Sequence, residues 1–312
     1  MPGLARPRKS DQELLRELTA EPDGLPVRGI GAWTLKKLTV LLLYFEPFTR
    51  ACGKASGGYY IDGFAGPGMC EIREVPGPAR FVWGSPLLAL KTKPLFERCL
   101  FVEQDSVATQ ALSARTRAAA NRCEVRNGDA NRLVPAIVAQ EVPGWAPCLC
   151  FLDPEALELH WSTVRQVAQT PGRNRKPELL ILFTLPMGPQ RMLTTRAPID
   201  PASEEALDRY FPDRGWWDVY QDQLAGNITA PEARTQYLDI YRGGLRTLGY
   251  ADDGIFSLPV KTLGQPGGRG RMLYHLVAAS DHPAGKRIMK HVMERHNSLD
   301  HLAMGQLSLP EA

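Results

Sequence analysis

The sequence offers six cysteines but no zinc knuckle or dithiol redox site, because none of Cys52, Cys70, Cys99, Cys123, Cys148 and Cys150 is paired at a two-residue gap. Several lie in apolar runs, where free cysteine behaves as a small hydrophobe, so they read as reduced core residues of a cytoplasmic protein. His160, His275 and His282 lack metal-ligand spacing, and neither an H-x-x-x-H pair nor a nucleophile elbow occurs. These absences argue against metallohydrolase and serine-hydrolase chemistry, and no metal is expected. The longest apolar stretches, such as Leu149 to Leu152 and Leu179 to Leu185, are too short to span a bilayer, and the basic N-terminus lacks the apolar segment of a signal peptide. Membrane insertion and secretion are therefore not expected. Charge of one sign is scarce as well: the net charge is +3, and Arg6, Arg8 and Lys9 alone account for it. The remainder is neutral overall and lacks the global footprint of a DNA-coating protein, although a local basic groove stays open. No internal repeat is visible.

What remains is ordinary globular material. The 312 residues are 44% hydrophobic and 23% charged, enough for one large α/β domain with additions, while 28 glycines and 26 prolines imply many turns. Residues 1–30 are polar and punctuated by Pro22, Gly24 and Pro26, and read as a flexible basic arm with one amphipathic piece around Leu14, Leu15 and Leu18. From Trp33, the spacing of Leu35, Leu38, Leu41, Leu42, Phe45 and Phe48 predicts a helix with a broad buried face.

Short β-rich runs then alternate with helical spacers, the signature of βα units around a parallel sheet. Strands are expected at Tyr59 to Asp62, Cys99 to Glu103, Cys123 to Arg126, Cys148 to Asp153 and Leu179 to Thr184. Their continuous apolar character suits strands covered on both faces. Helices are expected at Pro86 to Leu90, Val107 to Ala120, Ala130 to Val138 and His160 to Gln169. Residues 31–186 thus form a core, 187–250 a helical insertion holding Trp216, Trp217 and Tyr220, and 251–297 a closing unit. In that unit Ile255 to Thr262 and Met272 to Ala279 form an antiparallel hairpin joined by a turn from Gly264 to Gly270, followed by a helix from Ala284 to Arg295. Residues 298–312 read as a frayed tail.

The candidate site residues fall where strands end. After the first strand comes Asp62-Gly63-Phe64-Ala65-Gly66-Pro67-Gly68, whose glycines allow a sharp bend and close approach to a ligand, although the spacing departs from G-x-G-x-x-G. Gly84-Ser85-Pro86 opens a helix, with Ser85 expected at the N-cap and Pro86 at the first helical position. Capping explains this pattern, and a helix start also turns Ser85 toward any ligand carboxylate. Glu103 ends the second strand, where one carboxylate can accept bonds from both ribose hydroxyls of a nucleotide. Asn127-Gly128-Asp129 follows the third strand as a turn and N-cap, at the level of an adenine amino group. Asp153, Pro154 and Glu155 follow the fourth, beyond the strand ends where a doubly wound sheet binds its ligand; the two acids also suit a helix cap. Taken together, Asp62, Ser85, Glu103, Asp129 and Asp153 mark one rim. Arg173, Arg175 and Lys176, and Arg269 with Arg271, are read as surface charges or a phosphate track.

Here the sequence meets a resemblance. Trp33-Thr34-Leu35-Lys36-Lys37-Leu38, Tyr60-Ile61-Asp62-Gly63-Phe64-Ala65-Gly66-Pro67-Gly68, Gly84-Ser85-Pro86, Phe151-Leu152-Asp153-Pro154-Glu155, Tyr274-His275-Leu276 and Ala279-Ser280-Asp281-His282-Pro283-Ala284-Gly285 together resemble the three-Cys-motif partner protein family. That family belongs to the class I S-adenosylmethionine (SAM)-dependent methyltransferases. The likeness runs from Trp33 to Met289 with the motif order kept. A more distant similarity reaches the adenine-N6 methyltransferases of large-subunit ribosomal RNA. The resemblance implies a Rossmann-like class I methyltransferase sheet, mostly parallel with an antiparallel hairpin at its edge, an N-terminal helical extension and a helical insertion. It implies SAM as cofactor, bound by Asp62, Gly63, Phe64, Ala65, Gly66, Ser85, Glu103, Gly128 and Asp129. By the adenine-enzyme analogy Ser85 touches the methionine part, Glu103 the ribose and Asp129 the adenine, and Asp153 is the catalytic acid.

The sequence departs from those enzymes at the decisive place. Amino methylation uses Asp or Asn-Pro-Pro-aromatic, whose ring stacks on the flipped base; here Glu155 and Ala156 replace the second proline and the ring. Trp161 supplies a platform only if the helix after Leu157 turns back over the site. Glu155 also suits a general base for a hydroxyl or carbon acid. The acceptor is thus an amino group of nucleic acid, slightly favoured by the resemblance, or a small molecule. The rivals are another SAM-using enzyme and an inactive SAM-binding protein serving a partner protein encoded beside it.

Overall fold

The computed structural model describes residues 10–53, 57–75, 80–184, 193, 199–262 and 270–297. Ten helices and ten strands are assigned among them. In chain order they are α1 (Asp11–Leu18), β1 (Arg28–Ile30), α2 (Thr34–Ala51), β2 (Tyr59–Asp62), β3 (Met69–Ile72), β4 (Phe81–Trp83), α3 (Ser85–Lys91), β5 (Arg98–Glu103), α4 (Ser106–Thr116), β6 (Cys123–Asn127), α5 (Ala130–Gln140), β7 (Cys148–Leu152), α6 (Trp161–Ala168), β8 (Glu178–Phe183), α7 (Pro201–Tyr210), α8 (Gly215–Leu224), α9 (Ala230–Thr247), β9 (Ile255–Lys261), β10 (Met272–Ala279) and α10 (Pro283–Asn297).

The apolar runs do what such runs must when water is excluded from both faces. Every residue of β7 and β8 is buried. One layer of helices, α2, α3 and α10 with Leu112 of α4, covers one face of the sheet. The other face carries α5, α6 and the aromatic insertion helices α7 to α9. Seven strands run in the order β6-β5-β2-β7-β8-β10-β9, parallel except for β10, which is antiparallel to both neighbours. This is the Rossmann-like, mostly parallel sheet expected above, with the antiparallel hairpin at its edge. The chain leaves β2 toward β5 and β6, then returns to lay β7 on the other side of β2. The crevice between the carboxyl ends of β2 and β7 is therefore the switch point where such sheets bind ligands.

Three local expectations give way. Residues 10–30 are packed: Leu14 and Leu18 are buried, Ser10 forms a capping box with Glu13, and Ala20 N–H donates to the Phe81 carbonyl at 2.9 Å. The last three of them, β1, join a three-stranded sheet, β1-β3-β4, which the sequence reading did not foresee because its strands are three or four residues long and lack a clear period. The buried guanidinium of Arg115 clasps this region, bonding Asp23 at 2.7 and 2.8 Å and the carbonyls of Leu25, Pro26 and Pro67. Lastly, Gly84 rather than Ser85 is the N-cap of α3, and Ser85 and Pro86 are its first two residues. The proline fits the second position, and the serine hydroxyl is left for another partner. Residues 1–9 of the arm, most of 185–198 in the insertion, the hairpin turn with Arg269 and the tail 298–312 lie outside the described residues.

Candidate functional site

Each strand delivers one polar group to the same rim. At the end of β2, Asp62 is fully buried and accepts from the Tyr60 hydroxyl at 3.0 Å and the Phe64 N–H at 3.4 Å. Burial pushes its carboxyl up to about 7; hydrogen bonds from Ser85 and Tyr60 pull the other way, and the charge of Asp153 adds to the rise. Ser85, freed of a capping role, stands close enough to the buried acid to counter that rise.

Glu103, at the end of β5, accepts the Gly66 N–H at 2.7 Å on one oxygen and the Asp105 N–H at 2.8 Å on the other. Each oxygen keeps a lone-pair direction for a further donor. Gly66 sits at φ +63°, and a side chain there would meet only Arg28 Nη1 at 4.0 Å, so the turn leaves open space above its backbone. Gly63 is different. A Cβ on it would come within 2.9 Å of Leu152 and 3.2 Å of Val134, so packing explains this glycine. Asp129 is exposed and caps α5 through Oδ1, which accepts the Asn131 N–H at 2.9 Å, and the Gly128 N–H donates to the Glu103 carbonyl at 3.0 Å.

After β7, Asp153 and Glu155 part company. Asp153 is paired with Lys37 of α2, and both side chains are nearly buried, at 12% and 13% exposure. Glu155 is 72% exposed and paired with Arg28 of β1. A cleft enclosing about 100 Å³ is lined by Arg28, Lys37, Phe64 to Gly68, Ser85 and Asp153, and Glu155 is absent from its wall. Pro154 is buried behind. A larger groove of about 540 Å³, between α1, α2 and α3, holds none of the rim residues; chemistry rather than size picks the smaller one. Tyr274 of β10 adds a buried hydroxyl without a hydrogen-bond partner among the described residues, close enough to Asp153 for that charge, after burial, to raise its pKa.

Other candidates go elsewhere. Trp161 is buried against Tyr241, with ring centroids 5.1 Å apart, so the helix after Leu157 turns it into the insertion interface and not over the site. Trp216 and Tyr220 are core of that insertion; the Trp216 indole donates to Asp208 at 3.0 Å. Arg173 bonds the carbonyls of Val142, Pro143 and Ala146 in the loops that enter β7 and β8, on the edge opposite Asp153. It is therefore no track leading to the rim.

Arg28 and Lys37 are the residues that sequence reasoning missed. Lys37 carried a signal: it lies one turn before Leu41 on the buried face of α2, and a cation there needs a partner. Arg28 gave none, since its contact with Glu155 spans 127 positions.

No protein-family model matches the chain, and no curated protein matches it. Among solved structures it is similar to protein LPL1258 from Legionella pneumophila, at 11% identity over 85% of this chain and 94% of that one, with a TM-score of 0.48. It is also similar to the METTL16 MTase domain (14% identity, 87% and 78%, TM-score 0.44). A third is the O-methyltransferase TomG from Streptomyces achromogenes, solved with SAM (13% identity, 78% and 79%, TM-score 0.38). At these values the likeness is one of general architecture and extends to no residue of the site.

Proposed function

We propose that this chain is a SAM-dependent methyltransferase whose cofactor lies along the ends of β2, β5, β6 and β7. One observation carries the reading: Asp62, Ser85, Glu103 and Asp153 gather at the switch-point rim around the turn from Gly63 to Gly68, with Asp129 at the next strand end. These groups fit SAM. Glu103 has capacity for two ribose hydroxyls, Asp129 has an oxygen beyond its cap for the adenine amino group, and Ser85, backed by buried Asp62, lines the chamber for the methionine end. Gly128 and the backbone of Phe64, Ala65 and Gly66 complete the bed. When bound, SAM supplies an electrophilic methyl group for in-line displacement.

On this reading Asp153 faces the acceptor. Lys37 occupies Oδ2, which leaves Oδ1 to accept an N–H and orient an amino nucleophile. An amino group of nucleic acid is the first acceptor class, on the resemblance that Asp153-Pro154 carries. A small-molecule acceptor is the second, favoured by the burial of Trp161 and by Ala156, which leave a base without the expected stacking ring. In that case Glu155 is the base, released from Arg28. Membership of the three-Cys-motif partner family, a cytoplasmic location and service to a partner protein belong to the same proposal; no helix among the described residues is long and apolar enough to cross a membrane.

Calorimetric titration with SAM tests the cofactor claim. Glu103→Ala should weaken binding by about 1.5–3 kcal/mol, the range for a lost charged hydrogen-bond partner. Unchanged affinity in a folded variant removes Glu103 from the site. Methyl-labelled SAM incubated with a cell extract and fractionated into RNA, DNA, protein and small molecules then identifies the acceptor class. Asp153→Ala should abolish the transfer while SAM still binds.

A further inference from the structure

The chamber beside Ser85 contains two cations, and they are held very differently. Lys37 is committed: its partner Asp153 is nearly buried, and separating them strands a charge. Arg28 is not. Its bond to Glu155 comes from Nη2 alone, and that carboxylate is mostly in water, where an ion pair contributes little. Arg28 lines the cleft together with Gly66, and its Nη1 would lie 4.0 Å from a Cβ placed on that glycine. The clasp by Arg115 holds the backbone that leads into β1 and the glycine turn together, so the strand that carries Arg28 is fixed relative to the turn.

We infer that Arg28 binds the α-carboxylate of an amino-acid moiety in the cleft, which on the methyltransferase reading is the methionine end of SAM. About 100 Å³ is too small for a whole nucleoside cofactor, whose sites usually measure roughly 300 Å³ or more, but it suits the amino-acid arm, with the nucleoside lying outside along Glu103 and Asp129. A planar guanidinium fork matches a carboxylate with two parallel bonds, which a lysine cannot reproduce. Glu155 is then a placeholder: it occupies Arg28 in the free protein and yields to the ligand. The pairing also explains why an arginine from β1, remote in sequence from the rim, lines the cavity wall.

The inference rests on the SAM reading, and calorimetry with two ligands separates the two. S-Adenosylhomocysteine carries the α-carboxylate; 5′-methylthioadenosine keeps the nucleoside and sulfur but lacks the amino-acid end. Arg28→Gln should weaken S-adenosylhomocysteine about 10–100-fold and 5′-methylthioadenosine by less than about threefold, the first figure being the range for charge-assisted hydrogen bonds. Arg28→Lys should recover part of the loss. Glu155→Gln should leave S-adenosylhomocysteine binding unchanged or a few-fold tighter, since a competitor is removed. Equal weakening of both ligands by Arg28→Gln, or no weakening of S-adenosylhomocysteine, overturns the assignment. Should neither ligand bind the wild-type protein, the cofactor reading itself falls, and the inference with it.

Discussion

The Lys37–Asp153 pair decides whether Asp153 is a charged hydrogen-bond acceptor at the rim, and its strength can be measured. The two groups are in contact at 13% and 12% side-chain exposure. At a separation of ~4 Å and an effective dielectric constant of ~20, the attraction is about 4 kcal/mol before desolvation. Truncating one partner of a fully buried pair costs about 3–5 kcal/mol, because the other charge is left stranded. The residual solvent here lowers the expectation to about 2–4 kcal/mol for Lys37→Met and for Asp153→Asn separately. The double variant should cost clearly less than the sum, leaving a coupling energy of about 2 kcal/mol. Urea unfolding followed by tryptophan fluorescence gives all three values, provided the slope m is unchanged. If each single variant cost under about 0.5 kcal/mol with no coupling, the pair would be a solvated surface contact. Asp153 would then be no organised site residue.

Stability should also depend on pH in an unusual direction. Glu178, buried with Tyr44 and Ser280, is raised from 4.5 to about 7 by desolvation, and Asp62 from 3.8 to about 7. A raised folded pKa gives stability that is full below the unfolded value and lost as pH climbs through the folded one. Unfolding free energy should thus fall between about pH 4.5 and 7, by roughly 3 kcal/mol for Glu178; a Glu178→Gln variant with the same slope refutes this. On the proposed function, a cation of bound SAM near Asp62 releases its proton, so binding heats should vary with buffer ionisation enthalpy, and Asp62→Asn should remove that variation. Gly63→Ala should destabilise by about 1–3 kcal/mol through overpacking against Leu152, and a folded Gly63→Ala protein that binds SAM normally would confirm that packing alone demands this glycine. Trp161→Ala should cost about 3–5 kcal/mol in thermal or urea unfolding and, on the proposed function, leave SAM affinity unchanged.

The parallel strands of the main sheet, its crossover helices and the closing hairpin were legible in the chain, because two-sided burial forces runs such as Cys148 to Leu152 to be apolar throughout, and glycine and acidic turns mark where they stop. So were the rim residues from Asp62 to Asp153, since a doubly wound topology assigns strand ends to one edge. Local sequence could not reveal which acid is held by which cation. Lys37 and Arg28 reach Asp153 and Glu155 across 116 and 127 positions, and no local propensity encodes such a pairing. The small β1-β3-β4 sheet was hidden for a related reason: strands of three and four residues take their shape from neighbours that pair with them. Trp161 makes the same point in reverse, since its helix was visible in sequence but its facing was set by Tyr241 and the packing of the insertion. Sequence determined where polar groups leave the core; tertiary packing decided which of them meet, because an ion pair or a ring contact depends on distance in space and not along the chain.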